Sequence, residues 1–135
     1  MRVVLDTNVL VSMTLAPSGS FEPAWSAWRA GRFEVAVCDQ LLAETFEVLS
    51  RPKFTNRLTR SDSDLLKQFL LRRTLNFSIS EPYPNFSDPK DRFLLELLEV
   101  SRADALVTGD RALQALRRWE TALIATPAEF LTALA

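Results

Sequence analysis

The sequence predicts an α/β fold, a three-layer α/β/α sandwich around a central parallel sheet. Three observations predict it. The runs Val3-Val4-Leu5, Val35-Ala36-Val37 and Ala105-Leu106-Val107 are continuously apolar, as strands buried on both faces are. Segments with helical signals separate these runs, which is the pattern of a parallel sheet with helices on both sides. Acids also follow two of the strands: Asp6 stands directly after the first, and Asp110 after Leu106-Val107-Thr108-Gly109. The carboxyl ends of parallel strands are where open α/β sheets bind ligands.

Each element can be justified in order. After the first strand, Thr7 to Met13 continues as a short helix, and Pro17-Ser18-Gly19-Ser20 is a loop. Glu22 to Ala30 reads as a helix ending before Gly31, a C′ glycine. Phe33 to Val37 is a second strand, and Asp39 can cap the helix that carries Leu41, Leu42, Phe46 and Leu49 and stops by Pro52. Ser61 caps a further helix to about Arg73, with a strand near Leu75 to Ile79. A proline-rich loop from Glu81 to Asn85 precedes a helix with Asp88 as cap and Pro89 in its first position. Ala105 to Val107 is a strand, Asp110 to Arg118 a helix, and Ala122 to Ile124 a last strand. Thr126-Pro127-Ala128-Glu129 is a capping box for the terminal helix. The 135 residues are expected to form a single domain, 1–135.

Composition narrows the chemistry. With 16 basic and 17 acidic residues, overall charge does not mark a nucleic-acid binder, so any RNA contact must use local basic patches. The chain has no histidine and one cysteine, Cys38. That excludes imidazole bases, Ser-His-Asp triads, thiolate zinc clusters and an internal disulfide. Carboxylates, hydroxyls, Lys/Arg and a hard metal ion remain. Neither a signal-peptide pattern nor a spanning apolar stretch is evident, so a cytoplasmic location is expected, away from membranes.

Asp6, Glu44, Asp91 and Asp110 occupy comparable places in the strand–helix alternation, with Asp88 close to Asp91. In a parallel sheet these positions can converge at one edge. Like charges brought together raise one another's pKa values and destabilise the fold. Mg²⁺ or Mn²⁺ resolves this, since both favour oxygen ligands, and such an ion can activate water for phosphodiester hydrolysis. Each acid also has a plainer reading. Asp110 and Asp88 suit helix caps, Asp91 suits the positive end of a helix dipole, and Glu44 suits a solvated helix face. Asp6 is the hardest to explain by structure alone.

Asp6-Thr7-Asn8, Leu41-Leu42-Ala43-Glu44, Asp88-Pro89-Lys90-Asp91 and Ala103-Asp104-Ala105-Leu106-Val107-Thr108-Gly109-Asp110 together resemble the PIN domain. The resemblance is nearest to the bacterial branch of toxin–antitoxin toxins, the VapC-like ribonucleases, and spans essentially the whole chain. It implies a PIN-like sandwich and a Mg²⁺- or Mn²⁺-dependent endoribonuclease. Carried over by motif, Asp6, Glu44, Asp91 and Asp110 form the catalytic and metal-binding set. Asn8 and Thr108 are polar helpers, Asp88 acts through a water, and Asp104 has a structural role. Homodimerisation and a cognate antitoxin are further implications. Cys38 stands where related sequences often have Ser, with Asp39 expected to take over the cap.

Arg51-Pro52-Lys53, with Arg57 and Arg60, forms a basic stretch after the Glu44 helix that could hold RNA phosphates or be ordinary surface charge. Phe21, Trp25 and Trp28 recur at helical spacing, which core packing explains before any partner surface does. Two other functions compete with RNA hydrolysis. One is a catalytically idle PIN-like interaction module with an acidic pocket. The other is haloacid-dehalogenase-type phosphatase chemistry, which is disfavoured because Asn8 stands where that chemistry needs a second Asp.

Overall fold

The apolar runs do become buried strands. The computed structural model describes residues 1–15, 20–55, 60–79 and 89–134. Its elements are β1 (Arg2–Leu5), α1 (Thr7–Leu15), α2 (Glu22–Arg29), β2 (Glu34–Val37), α3 (Asp39–Leu49), α4 (Pro52–Thr55), α5 (Arg60–Arg72), β3 (Leu75–Asn76), α6 (Pro89–Ser101), β4 (Ala105–Val107), α7 (Arg111–Leu116), β5 (Arg118–Trp119), β6 (Ala122–Ala125) and α8 (Pro127–Leu134). The sheet has the order β3-β2-β1-β4-β6-β5, parallel except where β5 pairs antiparallel with β6. Val3, Val4 and Leu5 are all buried, as are Ala105, Leu106 and Val107, so helices cover both faces of the central strands. This is the expected α/β sandwich.

The order of the strands locates the functional edge. From β1 the chain builds outward through β2 to β3, then returns to start β4 on the other side of β1. Neighbouring parallel strands whose connections leave in opposite directions open a crevice at their carboxyl ends. Leu5 pairs with Val107 in register, so Asp6 and Thr108 emerge side by side at that crevice.

An aromatic cluster fixes the helices beside β2. Trp28 is fully buried and packs edge-on against Phe69 at 4.9 Å between ring centroids. Phe33 stacks on Trp28 and meets Phe130 of α8 edge-on. Trp25 and Phe21 are partly buried against the same core, so this trio serves packing, as its spacing predicts. The indole N–H of Trp28 donates to the carbonyl of Arg73, and the Arg73 guanidinium donates back to the carbonyls of Trp28 and Arg29 at the end of α2. Gly31 follows with φ +75°, the left-handed conformation that favours glycine at a helix end.

Several sequence expectations need correcting at element ends. β3 closes after Asn76 and does not reach Ile79, and α7 ends at Leu116, with the β5–β6 hairpin following. Pro52 opens the short α4, where its missing N–H is harmless. Asp39 is not the cap of α3. It lies inside the first turn, Cys38 holds the cap position, and the Asp39 carboxylate accepts from the Asn76 amide at 2.9 Å. The capping box of α8 forms as read: Thr126 and Glu129 exchange backbone-to-side-chain bonds of 3.0 Å each. The Thr126 amide accordingly holds the Glu129 carboxyl below its ordinary pKa. The two proline-containing loops, Pro17-Ser18-Gly19 and Glu81 to Asn85, and the Asp88 cap lie outside the described residues.

Two outcomes follow from this packing. Trp28→Ala removes a buried indole and should lower unfolding free energy by about 3–5 kcal/mol, read by urea denaturation. Cys38 is buried, and burial pushes its thiol pKa up. At about pH 8, where a free thiol is partly ionised, Ellman's reagent should label it slowly in the native protein and quickly in denaturant. Fast native labelling would contradict the placement.

Candidate active site

A pocket of about 530 Å³ opens at the crevice, lined by Asp6, Thr7, Asn8, Glu44, Glu47, Val48, Arg51, Phe93, Leu94, Gly109, Asp110 and Leu113. Three of the acids singled out by sequence therefore share one wall-to-wall space. β1 delivers Asp6, α3 delivers Glu44, and the turn after β4 delivers Asp110. For Asp91 the structure gives the backbone in α6, while its carboxylate, like Asp88 and Arg57, lies outside the described residues.

Local hydrogen bonds aim each carboxylate. Asp6 takes the Val9 amide on Oδ1 at 3.0 Å and the Thr108 hydroxyl on Oδ2. The same Thr108 oxygen accepts from the Asp110 amide at 3.0 Å, and the Thr108 carbonyl receives the Gln114 side chain at 2.7 Å. Thr108 is fully buried, so its hydroxyl is a fixed strut between the ends of β1 and β4. Asp110 caps α7, its Oδ1 accepting from the Leu113 amide at 3.0 Å. Glu44 accepts from the Thr7 hydroxyl on Oε2 at 3.2 Å. Its Oε1, like Oδ2 of Asp110, makes no hydrogen bond among the described residues.

The pocket is electrically one-sided. Among the described residues Asp6, Glu44 and Asp110 form no ion pair. The cation on the pocket wall, Arg51, is joined to Glu47. No three of the described acids stand close enough to form a ready-made metal cluster. The donor set still suits a hard divalent cation. Mg²⁺ takes one or two carboxylates and fills its remaining positions with water and substrate phosphate, which an open pocket with uncommitted carboxylate oxygens allows.

Other sequence expectations resolve clearly. Asn8 lines the pocket. Asp104 sits at the opposite end of the sheet, accepting from the Arg2 amide at 2.8 Å, which is a structural role. Lys53 is exposed on α4 and does not line the pocket, whereas Arg51 does. The sequence reading missed Thr7, Glu47 and Gln114. Glu47 could have been found from its place one turn after Glu44 on the same helix; the Gln114 contact carries no sequence signal.

Thr108→Val keeps the shape and removes both hydroxyl bonds. It should destabilise the fold by about 1–3 kcal/mol, read by urea denaturation, whereas Thr108→Ser keeps the hydroxyl and should keep most of the stability. A neutral Thr108→Val would contradict the strut.

Comparison with known proteins agrees with this fold. The PIN domain family model matches residues 2–112. No curated protein matches the sequence. Among solved structures, VapBC2 from Rickettsia felis bound to a DNA fragment from its promoter aligns with a TM-score of 0.63 and 14% identity, over 93% of this chain and 98% of that one. VapC20 of Mycobacterium tuberculosis, a Sarcin-Ricin loop cleaving toxin, aligns with a TM-score of 0.57 and 11% identity, over 90% and 98%.

Proposed function

Because the chain belongs to the PIN domain family, we propose that it is a divalent-metal-dependent endoribonuclease, the toxin of a toxin–antitoxin pair. The observation that carries this reading is the sharing of one pocket by Asp6, Glu44 and Asp110 at the sheet's switch point. An RNA phosphate entering a pocket with unpaired carboxylates would be repelled. Mg²⁺ or Mn²⁺, held by Asp6, Glu44 and Asp110 together with Asp91, would supply the missing positive charge and acidify a coordinated water.

The chain's own groups do the rest. Thr108 and the Val9 amide keep Asp6 in one orientation, so the set is preorganised and does not collapse onto a bound cation. Glu44 lines the pocket with one oxygen free of hydrogen bonds among the described residues and can accept the proton of the attacking water. Asp110 is fixed by the helix it caps. Asn8 orients carboxylate or water, Asp88 contributes through a water, and Arg51, Lys53 and Arg57 hold phosphates of the RNA strand. The protein acts as a single domain, residues 1–135, as a cytoplasmic homodimer with a cognate antitoxin. The VapBC2 complex of similar fold supports such a partner. No helix among the described residues is long and apolar enough to cross a membrane.

A second reading, an idle PIN-like interaction module with an acidic pocket, is favoured by the absence of a ready-made three-acid cluster among the described residues. Cleavage separates the two. Purified protein with Mn²⁺ should cut labelled RNA and lose the activity in EDTA. Asp6→Asn should slow cutting by at least about a hundredfold with an unchanged circular dichroism spectrum. Equal cutting by wild type and variant would point to a contaminating nuclease and remove the assignment.

A further inference from the structure

Glu47 in the last turn of α3 and Arg51, two residues beyond that helix, lie on the wall of the acidic pocket. Arg51 Nε meets Glu47 Oε1 at 3.3 Å and Nη2 meets Oε2 at 3.0 Å. This side-on contact occupies one edge of the guanidinium. Nη1 makes no hydrogen bond among the described residues, so it and the second N–H of Nη2 remain for another acceptor. Five donors in a rigid plane allow one carboxylate on the side and one phosphate on the end at the same time.

Both side chains are more than half exposed, at 57% for Arg51 and 62% for Glu47. An exposed ion pair adds little to stability. Its effect on binding is different, because a long side chain loses rotamer freedom when it grips a ligand. A clamp from Glu47 removes part of that loss before RNA arrives. Glu44 stands one turn earlier on α3, and Arg51 lines the same pocket as Asp6, Glu44 and Asp110.

We propose that Glu47 is a positioning residue, holding Arg51 side-on so that the open end of its guanidinium receives an RNA backbone phosphate at the pocket mouth. The inference rests on the ribonuclease reading and names where the substrate strand is gripped. Charge alone makes the opposite forecast. Deleting a carboxylate beside the path of a polyanion should tighten binding, whereas losing a clamp should weaken it.

The test is binding of a short fluorescein-labelled single-stranded RNA in EDTA, read by anisotropy, so that no metal or turnover is needed. Glu47→Gln should weaken binding about threefold and Arg51→Ala about tenfold. The double variant should bind no worse than Arg51→Ala alone, since Glu47 acts through Arg51. Arg51→Ala should also reduce the slope of log affinity against log salt by about 0.7, while Glu47→Gln leaves it unchanged. RNA binding by wild type with equal or tighter binding by Glu47→Gln, or losses that simply add in the double variant, would overturn the positioning role and leave the ribonuclease reading standing. A wild type that neither binds nor cuts RNA would remove both.

Discussion

The hydroxyl of Thr108 ties β1 to β4 at the point where the chain's two directions of sheet growth part. It donates to Asp6 and accepts from the Asp110 amide, in a position with no access to water. Together with the Asp6 amide, which donates to the Val107 carbonyl at 3.1 Å, it holds the two strand ends at one spacing. The acids they carry inherit that spacing, and the pocket follows from it. Hydrogen bonds between a fixed hydroxyl and an ionised carboxylate are among the stronger ones available to a protein.

This arrangement sets folding against function in a specific way. Parallel strands buried on both faces supply the apolar area that stabilises the domain, and they make the sheet stiff. A stiff sheet then holds like-charged carboxylates around a shared space without neutralising partners among the described residues. The negative charge of such a site is what a bound cation would offset. The open oxygens of Glu44 and Asp110 are consistent with a site completed from outside.

Much of this was legible in the sequence, and physical reasons separate what was from what was not. Buried strands are runs of apolar residues, so β1, β2, β4 and their helices could be read directly. Asp6 and Asp110 could be read because strand ends in α/β sheets have a known use. β5 could not, because Arg118-Trp119 is a two-residue strand made by a hairpin and carries no periodicity. The cap of α3 was misplaced because Asp39 is a better intrinsic cap than Cys38, yet its carboxylate is claimed by Asn76 across the sheet. Glu47 went unread because an i,i+4 pair with Arg51 looks like any solvated helix pair until the pocket beside it is known.

The role proposed for the pocket built on Asp6, Glu44 and Asp110 is to hold a divalent cation. Titrating Mn²⁺ into the protein, with free ion followed by electron paramagnetic resonance, measures that directly and without any RNA. Wild type should bind Mn²⁺ saturably, with binding weakened at least about tenfold in Asp6→Asn and displaced by excess Mg²⁺. Equal Mn²⁺ binding by the two proteins, or none by wild type, would contradict it.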